Sequence, residues 1–296
     1  MNPGIVYATL AYVLWGLFPI YFRAVSSITP LQIMWHRMLW GLLFVAVILI
    51  ARRDWQWLPK ALRNPRVLGR FLASGAVLSG NWFVYIWACN SGRVVDASLG
   101  YFINPLVNVL LAALVLHERL RPGQWFAVGL AALGVAWLGW LAGAPPWIGL
   151  ILALSFGVYG LLRKTAALGA LEGLALETLL LFPLAASCLI WLTANGENGF
   201  LNGDSTTRLL LAAAGPLTAI PLLLFGAAVR RIPFALLGIL QYVSPSLQLA
   251  IGLWIFKEPF SAARLAGYCA IWLALCVYSF EGVLQYRSAR AERVSA

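Results

Sequence analysis

The chain has 296 residues, 62% of them hydrophobic and 10% charged, with a formal net charge of +11 and a mean hydropathy of +0.84. Soluble domains carry about 25% charged residues, so this composition excludes a soluble globular protein and points to a bilayer. The surplus of cations would suit a nucleic-acid partner, but their placement along the chain explains it without one.

Apolar stretches of ~18 to 24 residues, each able to cross a ~30 Å hydrocarbon core, follow one another along the whole chain. They predict ten spans: 4–22, 32–51, 71–89, 97–116, 123–141, 147–163, 171–193, 208–229, 234–256 and 262–282. The runs are continuously apolar, whereas barrel strands alternate polar and apolar residues, so the spans are read as helices. The first begins close to Met1 without a basic leader and outruns a signal peptide's apolar region, so it is expected to be retained. The loop at 52–70 reads as a surface-lying amphipathic segment, 194–207 as an opposite-side loop, and 283–296 as a polar, fraying tail. With the N-terminus in the cytoplasm, 15 of the 21 basic residues fall on the cytoplasmic side, which is the distribution the positive-inside rule requires. Both termini are then cytoplasmic.

Residues 98–119 and 238–259 share one grammar at an offset of 140: Pro105 falls on Pro245, Asn108 on Gln248, Glu118 on Glu258 and, upstream, Arg23 on Arg163. The chain is therefore two related halves, 1–141 and 147–282, followed by the tail 283–296. Each half holds five spans, and an odd number inverts the second half relative to the first. Inverted repeats are the architecture of alternating-access transporters, whose substrate sites lie near the midplane where the halves meet.

The segment Asn81-Trp82, Tyr85-Ile86-Trp87-Ala88, Asn90-Ser91-Gly92-Arg93-Val94 and Ala97 through Asn108 resembles a RarD-type permease of the EamA branch of the drug/metabolite transporters. Trp15-Gly16 and the glutamates ending spans four and nine agree with the broader family. The resemblance covers essentially the whole chain. It implies an all-α membrane protein of ten helices in two inverted five-helix repeats, seated in a bacterial inner membrane. It also implies transport of small metabolites or drugs, such as amino acids or chloramphenicol-like compounds, more as exporter than importer.

Helical spacing puts Tyr101, Asn104, Pro105 and Asn108 on one stripe of span four, and Gln241, Ser244, Pro245 and Gln248 on the matching stripe of span nine. Amides are expensive in lipid, so both stripes should face the bundle, either lining a cavity or pairing between helices. Pro105 and Pro245 are the candidate helix kinks. Trp15, Asn81, Tyr85 and Tyr242 complete the candidate substrate-binding set, with aromatic faces suited to a flat solute. Arg37, inside span two, either faces the bundle and binds an anionic group or a carbonyl, or snorkels outward. Its counterpart Glu177 is the candidate proton carrier, or else a carboxylate that snorkels to the cytoplasmic surface or is satisfied by a neighbouring helix. The two should lie at opposite depths. His36 is expected to be solvated or interfacial, and Glu118 and Glu258 to cap the helices that follow them.

Catalytic signatures are missing. His36 and His117 are predicted on opposite sides of the membrane, the four cysteines form no Cys-x-x-Cys pair, and no phosphate-cradling Gly-x-x-x-x-Gly-Lys sequence occurs. No enzyme, cofactor, metal or disulfide is expected, which leaves secondary transport, with a proton as the candidate coupling ion, or facilitated diffusion. Against it stand a non-transporting sensor or assembly factor and, less favoured, an intramembrane lipid-modifying enzyme. Oligomeric state is not legible.

Overall fold

The structure, a computed structural model, describes residues 3–53, 55–116, 121–164, 166–229, 231–232 and 240–295. Local chemistry sets the helix starts. Thr29 accepts from Gln32 N ahead of Pro30, and Asn64 accepts from Arg66 N and Val67 N ahead of Pro65. Each proline then sits in the first turn, where a missing donor removes no helical hydrogen bond.

The helices are α1 (Pro3–Ala24), α2 (Pro30–Arg52), α3 (Trp57–Leu62), α4 (Pro65–Asn90), α5 (Val94–Leu116), α6 (Pro122–Ala142), α7 (Trp147–Lys164), α8 (Ala170–Ala194), α9 (Gly199–Asn202), α10 (Ser205–Val229), α11 (Val243–Ala250) and α12 (Ala262–Ser295). A π-helical turn, Ile251–Ile255, extends α11. Among the described residues, eight helices are long and apolar enough to span a membrane, and α7 and the α11–π segment are shorter apolar ones. Together they make the ten spans of a multi-pass, all-α membrane protein.

Packing follows the inverted repeat. At the 140-residue offset α1 corresponds to α7, α2 to α8, α4 to α10, α5 to α11 and α6 to α12. α1 packs on α10 and α11, and its counterpart α7 packs on α4 and α5. α2 packs on α8 and α10, while α8 packs on α2 and α4. α5 meets α11 and α6 meets α12, each helix against its own counterpart.

With lipid outside, helices gain little by hiding apolar surface from one another and associate through close approach instead. A Cβ on Gly100 would lie 2.7 Å from the Gly149 carbonyl oxygen, so this glycine lets α5 and α7 touch backbone to backbone. Gly134 does the same for α6 against α12, 2.8 Å from the Gly267 carbonyl oxygen.

Three expectations change. The segment 52–70 is shortened by an α4 that starts at Pro65 rather than 71, because the Asn64 cap and Pro65 outweigh the low hydropathy of that turn. α12 continues through the supposed tail to Ser295, since no Gly or Pro follows Gly282 and Ala, Glu and Arg favour helix. Pro245 is in the first turn of α11, where proline starts a helix, whereas Pro105 lies well inside α5. The expectations for His117, Glu118 and the opening of span nine at 234–239 lie outside the described residues.

Candidate functional site

Arg37 is the eighth residue of α2, so it enters the bundle about 10 Å from the helix start. It does not snorkel. The residue is 8% exposed, and its guanidinium lies 4.1 Å from the centroid of the Trp82 ring. Tyr21, Tyr101 and Tyr159 stand around it. Nη1 is buried without a hydrogen-bond partner, and among the described residues no carboxylate comes within ion-pair distance of it. An arginine keeps its charge, so a bare cation occupies the interior.

Beside it the aromatic rings pack against one another. Trp82 and Tyr85 are 6.0 Å apart between centroids, Tyr85 and Tyr101 5.5 Å, and Tyr101 and Phe156 6.3 Å. Helices α4, α5 and α7 thus present one aromatic surface to the α2 arginine. The Tyr85 hydroxyl is a second buried group without a partner. Tyr101 and Tyr159 are half-buried.

Neighbouring His36 corrects an expectation. It is 3% exposed rather than solvated, with Nε2 3.3 Å from Asn198 Oδ1 and its ring against Phe200. The cause is the loop between α8 and α10, which folds onto the start of α2. Gln32 holds that loop by donating to the Glu197 carbonyl and accepting from Gly199 N, each at 3.0 Å.

Nearer the cation-rich face lies a second charged cluster. Glu177 accepts from Ser74 Oγ at 2.5 Å and stands 3.6 Å from Arg163 Nη1. Arg163 also donates to the Gly169 carbonyl at 3.1 Å, and its charge lies over the Phe71 ring. The other carboxylate oxygen of Glu177 has no hydrogen-bond partner. Tyr159 is within electrostatic reach of Arg37 on one side and of Glu177 and Arg163 on the other, so one polar column runs through the bundle.

The amide stripes are placed symmetrically. Asn108 donates to Asn104 Oδ1 at 3.0 Å, one turn back, and Asn104 to the Ala153 carbonyl of α7 at 3.1 Å. On the other side Gln248 donates to Ser244 Oγ at 3.2 Å, one turn back, and to the Trp15 carbonyl of α1 at 3.3 Å. Asn81 joins α4 to α7 through Ser155 Oγ at 2.8 Å and the Leu152 carbonyl at 3.0 Å. These bonds tie crossing helices together, and Gln248 Oε1 is left unpaired.

Of the candidate residues, the structure gathers Arg37, Tyr85 and Tyr101 into one cluster around Trp82, with Asn81 on its α4–α7 flank. Gln241, Tyr242, Ser244 and Gln248 sit elsewhere. Tyr242 packs with the α5–α6–α12 cluster, and Trp15 against Tyr12 and Phe225. Trp82, which the sequence offered only as one of several aromatics able to stack on a flat solute, belongs to the column, as do Tyr159, Ser74 and Arg163, which it did not single out as site residues. For Arg163 the signal was its identity with Arg23 at the repeat offset.

Glu258 is a cap, but of a different helix from the one expected. Its carboxylate accepts from Val94 N at 2.7 Å and Val95 N at 2.8 Å, covering the start of α5 rather than of α12. The π turn, with Lys257 in the left-handed region at φ 53, directs Glu258 back across the α5–α11 crossing. Among the described residues no cluster of His, Cys, Asp or Glu could hold a metal.

Comparison with known proteins agrees with this architecture. The EamA-like transporter family matches residues 2–140. An uncharacterized transporter of Pseudomonas aeruginosa is 47% identical over 95% of this chain and 94% of its own length. Protein RarD of Streptomyces exfoliatus is 44% identical over 99% of this chain and 93% of its own. A solved crystal structure, 22% identical, superposes over 93% of this chain and 97% of its own with a TM-score of 0.60, a likeness of fold. With relatives this similar over nearly its full length, the chain belongs to the EamA-like transporter family as a RarD-type member and is a membrane transporter of the drug/metabolite class.

Proposed function

We propose that this protein moves small metabolites or drugs across the bacterial inner membrane by alternating access, in the direction of export, with both termini cytoplasmic. The repeats 1–141 and 147–282 are the two moving units, and the cluster of Arg37, Trp82, Tyr85 and Tyr101 is the substrate site. The observation that carries this reading is the buried polar column with an unpaired cation and aromatic walls, set where helices of both halves meet. Relatives named as transporters support the same class of function.

Glu177 is the proposed proton carrier. Its ion pair with Arg163 closes the column toward the cation-rich face, and transfer of a proton to the carboxylate would release Arg163 and loosen α7 from α8. The test is efflux from proteoliposomes loaded with amino acids, aromatic metabolites and chloramphenicol, with and without a pH gradient. Protein-dependent release of a subset, accelerated by the gradient in the native protein but not in Glu177→Gln, is the expected result. Absence of protein-dependent release for every compound would favour a sensor or assembly role instead.

A further inference from the structure

The two halves differ in charge at one pair of matching positions, and the difference leaves a vacancy for a ligand's charge. At the repeat offset Arg23 and Arg37 correspond to Arg163 and Glu177. In the second half the pair is a cation and an anion, 3.6 Å apart. In the first half both members are cations, and Arg23 turns away to donate to the Asn90 carbonyl at 3.3 Å with its charge over the Phe256 ring. Where the second half neutralises its buried charge within the chain, the first half does not do so among the described residues. Arg37 stays 8% exposed with Nη1 unbonded.

A lone guanidinium held in a low-dielectric interior is strongly unfavourable unless something supplies the opposite charge. The Trp82 face offsets part of that, because a ring's negative face attracts a cation, but a ring accepts no hydrogen bond in the guanidinium plane. The planar fork of N–H donors matches a carboxylate. Glu177 is the acid on this column among the groups described, and Arg163 and Ser74 already occupy it, so nothing there is free to favour a cationic ligand.

We infer that the transported solute is a small organic anion, whose carboxylate is bound by Arg37 while a flat apolar portion lies along Trp82, Tyr101 and Phe156. This rests on the reading of the cluster as the transport site and narrows its substrate class. Arg37 is then the specificity-determining residue. A neutral solute of the same shape would leave the cation uncompensated and bind more weakly by the factor that a severed buried charge pair represents, on the order of 30-fold or more.

The test uses the detergent-solubilised full chain and isosteric acid and amide pairs: phenylacetate against phenylacetamide, and indole-3-acetate against indole-3-acetamide. Binding is read by thermal unfolding midpoint and by calorimetry. The acids are expected to stabilise the native protein at concentrations at least about tenfold below the amides. Arg37→Gln should abolish that difference, and Arg37→Lys should keep a reduced preference for the acids, having charge without the fork. Equal binding of acids and amides, no binding of either, or an acid preference that survives in Arg37→Gln each overturns the inference. If proteoliposomes transport a neutral compound as well in Arg37→Gln as in the native protein, the anion assignment falls while transport stands. If acids bind as expected but nothing is transported, the assignment of an anion site holds and the transport reading falls.

Discussion

Replacing Arg163 by methionine should destabilise the protein far more than neutralising its partner, and the structure says why. Glu177 has a side chain 3% exposed, whereas that of Arg163 is 18% exposed. Arg163→Met leaves a buried carboxylate with the Ser74 hydroxyl as its hydrogen bond and no counter-charge, the situation in which loss of one partner of a buried pair costs about 3–5 kcal/mol. Glu177→Gln leaves an arginine nearer the surface that still donates to the Gly169 carbonyl, and an amide that still accepts from Ser74, so the expected loss is about 1 kcal/mol. The double variant removes the orphaned charge and should recover most of what Arg163→Met loses. Thermal or denaturant unfolding of all four proteins in one detergent gives the cycle directly. If Glu177→Gln is as damaging as Arg163→Met, or if the two losses add, then the carboxylate is not held by that arginine and the column has been misread.

Other contacts make sharper local claims. Glu258→Ala removes two charge-assisted bonds to the start of α5 and should cost about 1.5–3 kcal/mol, with Glu258→Gln losing less, measurable by unfolding. Gly215→Ala would press a Cβ onto the backbone of Trp40 and Gly41 where α10 crosses α2, an overpacking expected to cost about 1–3 kcal/mol. Gln32→Ala frees the loop between α8 and α10 from α2, and hydrogen exchange at Gly199 N should quicken by about tenfold while α4 and α5 are unchanged.

The ten spans were legible because lipid imposes one requirement on every spanning helix, a long apolar run, and hydropathy reads it. The inversion was legible from the odd number of spans per half. Arg37 could be found by cost alone, since a cation at that depth has few ways to exist, and it turned inward. The Glu177–Arg163 pair was not found, because Arg163 at a span end reads as a loop cation, and only the packing of α7 and α8 on the same helix, α4, brings it onto a carboxylate. Ser74 and Tyr159 carried no signal at all, as lone hydroxyls are common in apolar helices. Glu258 was recognised as a cap, yet local reasoning assigned it to the next helix in the chain. Which helix it covers depends on the α5–α11 crossing, a product of the inverted repeat that no single segment reveals. His36 was misjudged for a related reason, since nothing in α2 announces that the 194–207 loop folds back over it.

Alternating access to a shared site is tested most directly by reactivity at Tyr101. In a variant with Cys89, Cys188, Cys269 and Cys276 replaced, Tyr101→Cys would be labelled with a membrane-impermeant thiol reagent in vesicles of defined orientation. The account predicts labelling from either face, and protection from both by one and the same transported solute. Labelling from a single face under all conditions would contradict it.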